Sequence, residues 1–196
     1  INIPLSETRE IKKTLVVVIA SDRGLAGSFN TQVFRTTDSL VSKDEYSSAP
    51  RHEFMFLAVG KKSENYILKN KWDLYGKFQG FGDFIEPEEV SPLAQHLVGG
   101  YLNKKFDRVL VVSTHFRTAL FQEVLMRQVL PMDFNKIEAT VKDIVPEHGK
   151  YSSSQQIIFG SGVQEIDYIF EPAPTEVLNE LIPHLFKMQV YHIVLE

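Results

Sequence analysis

Apolar runs and polar segments alternate along the first 120 residues of the chain. Residues 14–20, TLVVVIA, form a continuous and mostly β-branched run, which is typical of a strand buried on both faces. Similar strand patterns cover residues 52–60, 72–78 and 106–116, and helical patterns cover residues 31–43, 61–70 and 87–105. This regular alternation of strand and helix predicts a parallel sheet with covering helices.

The connection after the fourth strand breaks this alternation. Only a few residues, around RTAL, separate residues 106–116 from the next apolar run at residues 122–130. A parallel crossover needs about a dozen residues. We therefore expect residues 122–130 to pair antiparallel to the fourth strand. The predicted fold is an α/β domain with a mixed five-stranded sheet whose last strand is antiparallel.

The last third of the chain has a different character. Residues 133–154 are polar and aperiodic, and we expect 136–154 to be among the least ordered. Residues 155–170 carry two apolar runs around Gly-Ser-Gly, which indicates a hairpin. Residues 175–196 form a helical pattern that becomes apolar nearly all round. We expect its second apolar face, near Met188, Tyr191, Val194 and Leu195, to pack against a partner or to remain exposed.

The stretch SDRGLAGSFN, residues 21–30, follows the first strand and carries Gly24 and Gly27. A dinucleotide site requires a G-x-G-x-x-G loop, and a P-loop requires a Lys after its last glycine; neither is present. One interpretation is a structural turn, in which the glycines permit positive φ or close packing and Asp22 and Arg23 are turn and capping groups. The alternative is a nucleotide-binding enzyme on a doubly wound sheet.

The sequence shows no other residue pattern that is typical of a catalytic or ligand-binding site. The absence of cysteine excludes disulfides, thiolate metal sites and a cysteine nucleophile. The six histidines show no metal-ligand spacing, and no G-x-S-x-G is present. The acidic residues Asp83, Glu86, Glu88 and Glu89 surround a predicted helix start, where negative charge is favourable. The net charge of −4 does not favour nucleic acid. We predict no catalytic, cofactor or metal site.

Four stretches in order resemble the gamma subunit of F-type ATP synthase. SDRGLAGSFN resembles that family's most recognisable motif, and GFGD at residues 80–83, QVLPM at 128–132 and the C-terminal 30 residues from DYIFEPAP match in the same order. The resemblance covers nearly the whole chain. Ala26 and Ser28 stand where family members often have Cys and Gly.

The resemblance implies a three-layer α/β/α sandwich with a mixed five-stranded sheet. Residues 1–196 would be a single globular domain, the foot of a rotary shaft whose N- and C-terminal helices lie outside this sequence, and both ends would lie on one side of it. The protein would be non-catalytic and bind no cofactor. It would couple proton-driven ring rotation to ATP synthesis in the catalytic head.

The resemblance also implies partners and a location. The partners would be the alpha, beta and epsilon subunits and the membrane rotor ring, without nucleic acid or direct lipid insertion. The location would be the cytoplasmic face of a bacterial inner membrane, with the mitochondrial matrix side as the alternative. Residues 167–171 would contact the ring, unless they form an edge strand with one buried face. The candidates for subunit contact are Asp22, Arg23, Tyr168, Phe170, Glu171 and Tyr191.

Overall fold

The computed structural model describes residues 4–22, 27–43, 53–82, 84–118, 121–133, 135 and 174–196. The predicted excursion at 136–154 and the predicted hairpin at 155–170 lie outside these residues, and both stay predictions.

The described strands form one five-stranded sheet in the order β3-β2-β1-β4-β5. They are β1 (Lys13–Ile19), β2 (Glu53–Val59), β3 (Leu74–Phe78), β4 (Arg108–Thr118) and β5 (Phe121–Leu130). The β1–β2, β1–β4 and β2–β3 pairs are parallel, and β5 is antiparallel to β4. This arrangement confirms the predicted mixed sheet with a reversed last strand.

Helices cover both faces of the sheet. They are α1 (Gly27–Ser42), α2 (Lys61–Lys69), α3 (Pro87–Leu102) and α4 (Pro174–Leu195). Val16 and Val18 of β1 pack in one apolar cluster with α1 and α2. Leu15 and Val17 pack in the other with α3 and α4. The result is the expected three-layer α/β/α arrangement.

Helix boundaries match the predicted patterns within a few residues, except at the start of α1. That helix begins at Gly27, four residues before the predicted start at Thr31. Helix α3 begins where the acidic residues predicted a helix start. The backbone N–H of Glu86 donates to Glu89 Oε2 at 2.8 Å, and Pro87 is the first helical residue.

An ion pair holds the N-terminal segment at the amino edge of the parallel strands. Asp107, just before β4, accepts hydrogen bonds from Arg9 Nε at 2.7 Å and from the backbone N–H groups of Lys12 and Lys13 at 3.0 Å each. Burial by itself would raise the pKa of Asp107, but these donors together hold it below its ordinary value. The Arg9 guanidinium also lies 4.3 Å from the centre of the Tyr101 ring.

The two described ends lie over the same face of the sheet but at opposite edges. Leu5 belongs to the apolar cluster of α3 and α4, and its carbonyl accepts from Met132 N at the amino edge. Glu196, at the other end, contacts His115, which lies toward the carboxyl end of β4. The expectation that both ends share one side therefore holds for the face and is wrong for the edge.

Adjacent glycines in α3 should respond oppositely to alanine. A Cβ at Gly100 would lie 2.4 Å from Cζ of the buried Phe106, whereas a Cβ at Gly99 would meet nothing within 4 Å. We expect Gly99→Ala to stabilise the fold by about 0.5–1 kcal/mol, because it lowers unfolded-state entropy. Gly100→Ala should destabilise it by about 1–3 kcal/mol through overpacking. Urea unfolding of the two variants checks this, and equal shifts would contradict it.

Asp107 should make stability depend on pH in the acid range. Its pKa is lowered in the folded state, so its contribution is complete above the unfolded value of about 3.9 and is lost as pH falls through the folded value. We expect Asp107→Asn to cost about 1–2 kcal/mol at neutral pH. The difference from wild type should stay constant between about pH 7 and 5 and shrink below about 4.

Urea unfolding across this pH range measures the difference between the two proteins. Asp73→Asn, at an exposed position, is the control and should follow wild type. A difference between Asp107→Asn and wild type that persists unchanged into strong acid would rule out the electrostatic origin.

Candidate functional site at the carboxyl edge of the sheet

The carboxyl ends of β1 and β4 border a cleft of about 400 Å³. The chain passes from β1 to β2 and β3 on one side, whereas β4 lies on the other side of β1. In open α/β sheets, ligands bind at this point of divergence. The described residues that line the cleft are Ile19, Ala20, Ser21, Asp22, Phe29, Asn30, Val59, Gly60, Phe81, Gly82, Ile85, Ser113, Thr114, Gln122, Ile193, Val194, Leu195 and Glu196.

The Asp22 carboxylate joins three segments at this edge. Oδ1 accepts from the backbone N–H of Lys61 at 2.7 Å, and Oδ2 accepts from that of Gly80 at 3.0 Å. Lys61 is the first residue of α2, and a helix N-terminus favours negative charge. Asp22 therefore has a capping role, as one of the two interpretations of the glycine loop predicted, and it occupies a position that an external phosphate could otherwise use.

Gly60 permits the closest backbone approach at the cleft. Its φ is +95°, and a Cβ there would lie 1.8 Å from the carbonyl oxygen of Ala20. Sequence patterning had placed Gly60 only as a strand end. Gly27 is different, because its φ lies outside the left-handed region and a Cβ there would meet no atom of the described residues within 4 Å. The expected need for a glycine is therefore wrong at Gly27, and Gly24 lies outside the described residues.

Asn30 is a polar residue that sequence analysis missed. Its side chain is buried, its Oδ1 accepts from Ser21 N at 3.2 Å, and its Nδ2 donates to Ser21 Oγ at 2.9 Å. These bonds hold the residues after β1 against the first turn of α1. A signal was present, because Asn30 lies on the same helical stripe as the buried Val33 and Thr37.

The charges around the cleft do not suit a phosphate. Among its described lining residues, the ionisable side chains are the carboxylates of Asp22 and Glu196, and none is a Lys, Arg or His. Carboxylates repel a phosphate, and nucleotide sites commonly supply basic side chains or open helix N-termini instead. Within the described part of the chain, no group of three His, Asp or Glu residues could hold a metal ion.

Glu196 forms the charged end of the cleft. Its Oε1 lies 2.9 Å from His115 Nδ1, and its Oε2 accepts from Arg127 Nη2 at 2.6 Å. The same Nη2 donates to Ser113 Oγ at 3.1 Å. Burial alone would raise the pKa of Glu196, but the hydrogen bonds from His115 and Arg127 outweigh it and lower the pKa. No sequence pattern pointed to this cluster.

Tyr191 is held within the domain by its hydroxyl, which donates to the carbonyl of Ile85 at 3.0 Å. Tyr191 and Val194 are half-buried against the core, so the exposed apolar face expected around them is wrong in part. The apolar side chains on the outer flank of α4 are Leu181, Leu185, Met188 and Leu195, which range from half-buried to exposed.

The other candidates for subunit contact, Arg23, Tyr168, Phe170 and Glu171, lie outside the described residues. A role for them, and for Asp22 and Tyr191, in binding another subunit stays a prediction. None of the helices within the described residues combines the length and apolar character needed to cross a bilayer.

The fold is similar to that of two rotor structures. The central stalk and c-ring structure of Tetrahymena thermophila mitochondrial ATP synthase superposes with a TM-score of 0.62 at 23% identity, over 97% of this chain and 71% of the other. The rotor of the Euglena gracilis mitochondrial enzyme gives 0.54 at 18% identity, over 95% and 61%. At these identities the likeness establishes the fold.

Sequence comparison establishes the family. The ATP synthase gamma chain of Cytophaga hutchinsonii is 30% identical over 191 residues, which are 97% of this chain and 58% of the relative. That of Desulforudis audaxviator is 31% identical over 193 residues, 98% of this chain and 60% of the relative. The chain thus spans about three fifths of these relatives. A family model described as ATP synthase matches residues 1–196, and the protein belongs to the ATP synthase gamma-chain family.

Proposed function

We propose that this chain is the globular foot domain of a rotary central stalk in an F-type ATP synthase. It couples proton-driven rotation of the membrane ring to ATP synthesis in the catalytic head. The observation that carries this proposal is the match of residues 1–196 to the family model, together with gamma chains aligned over nearly the whole sequence.

The domain acts without catalysing a reaction itself. The cleft at the divergence of β1 and β4 is the place where a doubly wound enzyme would hold its nucleotide. Here the N-terminus of α2 is capped by Asp22, and Glu196 adds a second carboxylate to the described lining. This chemistry supports a mechanical protein over the alternative of a nucleotide-binding enzyme.

The outer flank of α4 supports packing against a second helix of the stalk. Leu181, Leu185, Met188, His192 and Leu195 follow one another at intervals of four, three, four and three residues. This is the spacing of a coiled-coil seam. Leu195 is 49% exposed, so apolar surface remains available on this flank. A long helix lying along it would form a stiff shaft, which torque transmission requires.

The proposed partners follow from this role. They are the alpha and beta subunits of the head, the epsilon subunit and the membrane rotor ring. The complex is membrane-associated, and the bacterial sources of the similar gamma chains favour the cytoplasmic face of a bacterial inner membrane. Within the domain, Tyr168, Phe170 and Glu171 are the candidates for contact with the ring.

Nucleotide binding separates the two candidate functions. We expect isothermal titration of the purified protein with ATP, ADP and NAD to give no binding tighter than millimolar, because the described cleft presents carboxylates to a phosphate. The isolated catalytic head serves as the positive control under the same conditions. A micromolar dissociation constant for any of the three would contradict the mechanical function.

The predicted ring contact is tested by the double variant Tyr168→Ala/Glu171→Ala in the whole enzyme. Side chains that contact another subunit are exposed in the free domain and contribute little to its folding, so on this proposal the free energy of unfolding should change by less than about 1 kcal/mol. ATP-driven proton pumping into vesicles should fall while ATP hydrolysis continues, because the globular domain would no longer bind the ring firmly enough to turn it.

The control for this experiment is Leu68→Ala/Lys69→Ala, a pair of exposed residues on α2 on the opposite face of the sheet from α4. It should leave both activities unchanged. If the Tyr168/Glu171 variant retains full pumping and ring association, these residues are not the contact.

A further inference from the structure

The face of the sheet beneath α4 changes from apolar to charged along β4 and β5. Val109, Val111 and Val129 lie in the buried cluster that also contains Phe186 and Val190 of α4. On β4, Ser113 and His115 follow Val111 at steps of two residues. On β5, Arg127 precedes Val129 by two residues. Because alternate residues of a strand share a face, these polar groups lie on the same face, under the end of α4.

The polar groups there form what we term the Glu196 cluster, made of Glu196, His115, Arg127 and Ser113. The two carboxylate oxygens bind different partners, with one bonded to His115 on β4 and the other to Arg127 on β5. Arg127 in turn donates to Ser113, which is fully buried. Glu123 lies directly opposite His115 in the strand register. One helix end is therefore bonded to two neighbouring strands.

The directional character of these bonds distinguishes them from the apolar packing of α4 on the sheet. The other side chains that hold α4 to the sheet, such as Ile182, Phe186 and Val190, are apolar. Apolar burial sets which side of α4 faces the sheet, but because it is non-directional it resists small rotations about the helix axis only weakly. A carboxylate with a separate hydrogen-bonding partner for each oxygen has a defined orientation. It therefore sets the rotational register of the helix.

We propose that Glu196 is a positioning residue that locks the rotation of α4 against the β4–β5 pair, so that torque passes between the helix and the globular domain. This inference rests on the proposed function of the chain in a rotary stalk. The apolar core keeps α4 bound to the sheet, and the Glu196 cluster prevents the helix from rotating about its axis against β4 and β5. Glu196 touches no substrate and acts through the position of the helix.

The test uses Glu196→Gln in the full-length protein, assembled into the complex and reconstituted in vesicles. Glu180→Gln is the matched control, because Glu180 is an exposed glutamate on the same helix. Native-state hydrogen exchange of the backbone amides of residues 192–196 reports how firmly the Glu196 cluster holds this part of the chain. We expect exchange about 2–5-fold faster in Glu196→Gln, the effect of losing a partly exposed ion pair, and no change in Glu180→Gln.

The second readout is the ratio of protons pumped to ATP hydrolysed. A merely structural role would leave this ratio unchanged as long as the protein is folded. We expect it to fall in Glu196→Gln and to remain at the wild-type value in Glu180→Gln. Arg127→Met should reproduce both effects. For both readouts the double variant should be no worse than Glu196→Gln alone, because Glu196→Gln already removes the ion pair with Arg127.

Unchanged hydrogen exchange in Glu196→Gln would show that Glu196 does not hold α4 to the sheet. Faster exchange with an unchanged pumping ratio would overturn its role in torque transmission. Failure of the wild-type protein to support any pumping would contradict the proposed function instead, while the exchange measurement would still decide whether Glu196 holds the helix.

Discussion

Burial of β1 on both faces is the constraint from which the rest of the domain follows. Residues Thr14 to Val18 are all buried, so each face of this central strand needs a helical cover. Alternate side chains supply two separate cores, with α1 and α2 packing on Val16 and Val18 while α3 and α4 pack on Leu15 and Val17. The three layers are the arrangement that removes both faces of β1 from water.

The same parallel sheet creates an edge where ligands bind in many enzymes, and here its polar groups serve the fold. Asp22 bridges the start of α2 and the residue Gly80 beyond β3, and Asn30 binds the residues that leave β1. Glu196 binds β4 and β5. Each of these three side chains bonds to another segment of the chain, which makes the edge a junction between elements.

Helix α4 combines two kinds of surface. Ile182, Phe186, Val190 and Ile193 enter the core, while the outer flank carries a seam with heptad spacing. In the proposed stalk, one helix would therefore serve both as a wall of the domain and as a surface for another helix. The Glu196 cluster would connect these two roles, since a helix that transmits rotation has to be held against both separation and turning.

Much of the fold followed from local pattern, because periodicity reports which faces of an element are buried. The β-branched run before Ala20 indicated the central strand, and the short connection after β4 required a reversed β5; both are observed. The acidic start of α3 was likewise visible, because capping involves residues close in sequence. Family resemblance added the proposed role in a rotary stalk, which composition and spacing alone did not indicate.

The sequence by itself thus determined the elements, their order and the family, whereas the tertiary structure decided the contacts at the carboxyl edge. Gly60 needs to be glycine because it meets Ala20, 40 residues away along the chain, at the end of a neighbouring strand. Asp22 binds residues 39 and 58 positions away, and Glu196 binds residues 81 and 69 positions away. No local pattern encodes such pairs, because each forms only after the strand order has brought distant strand ends together.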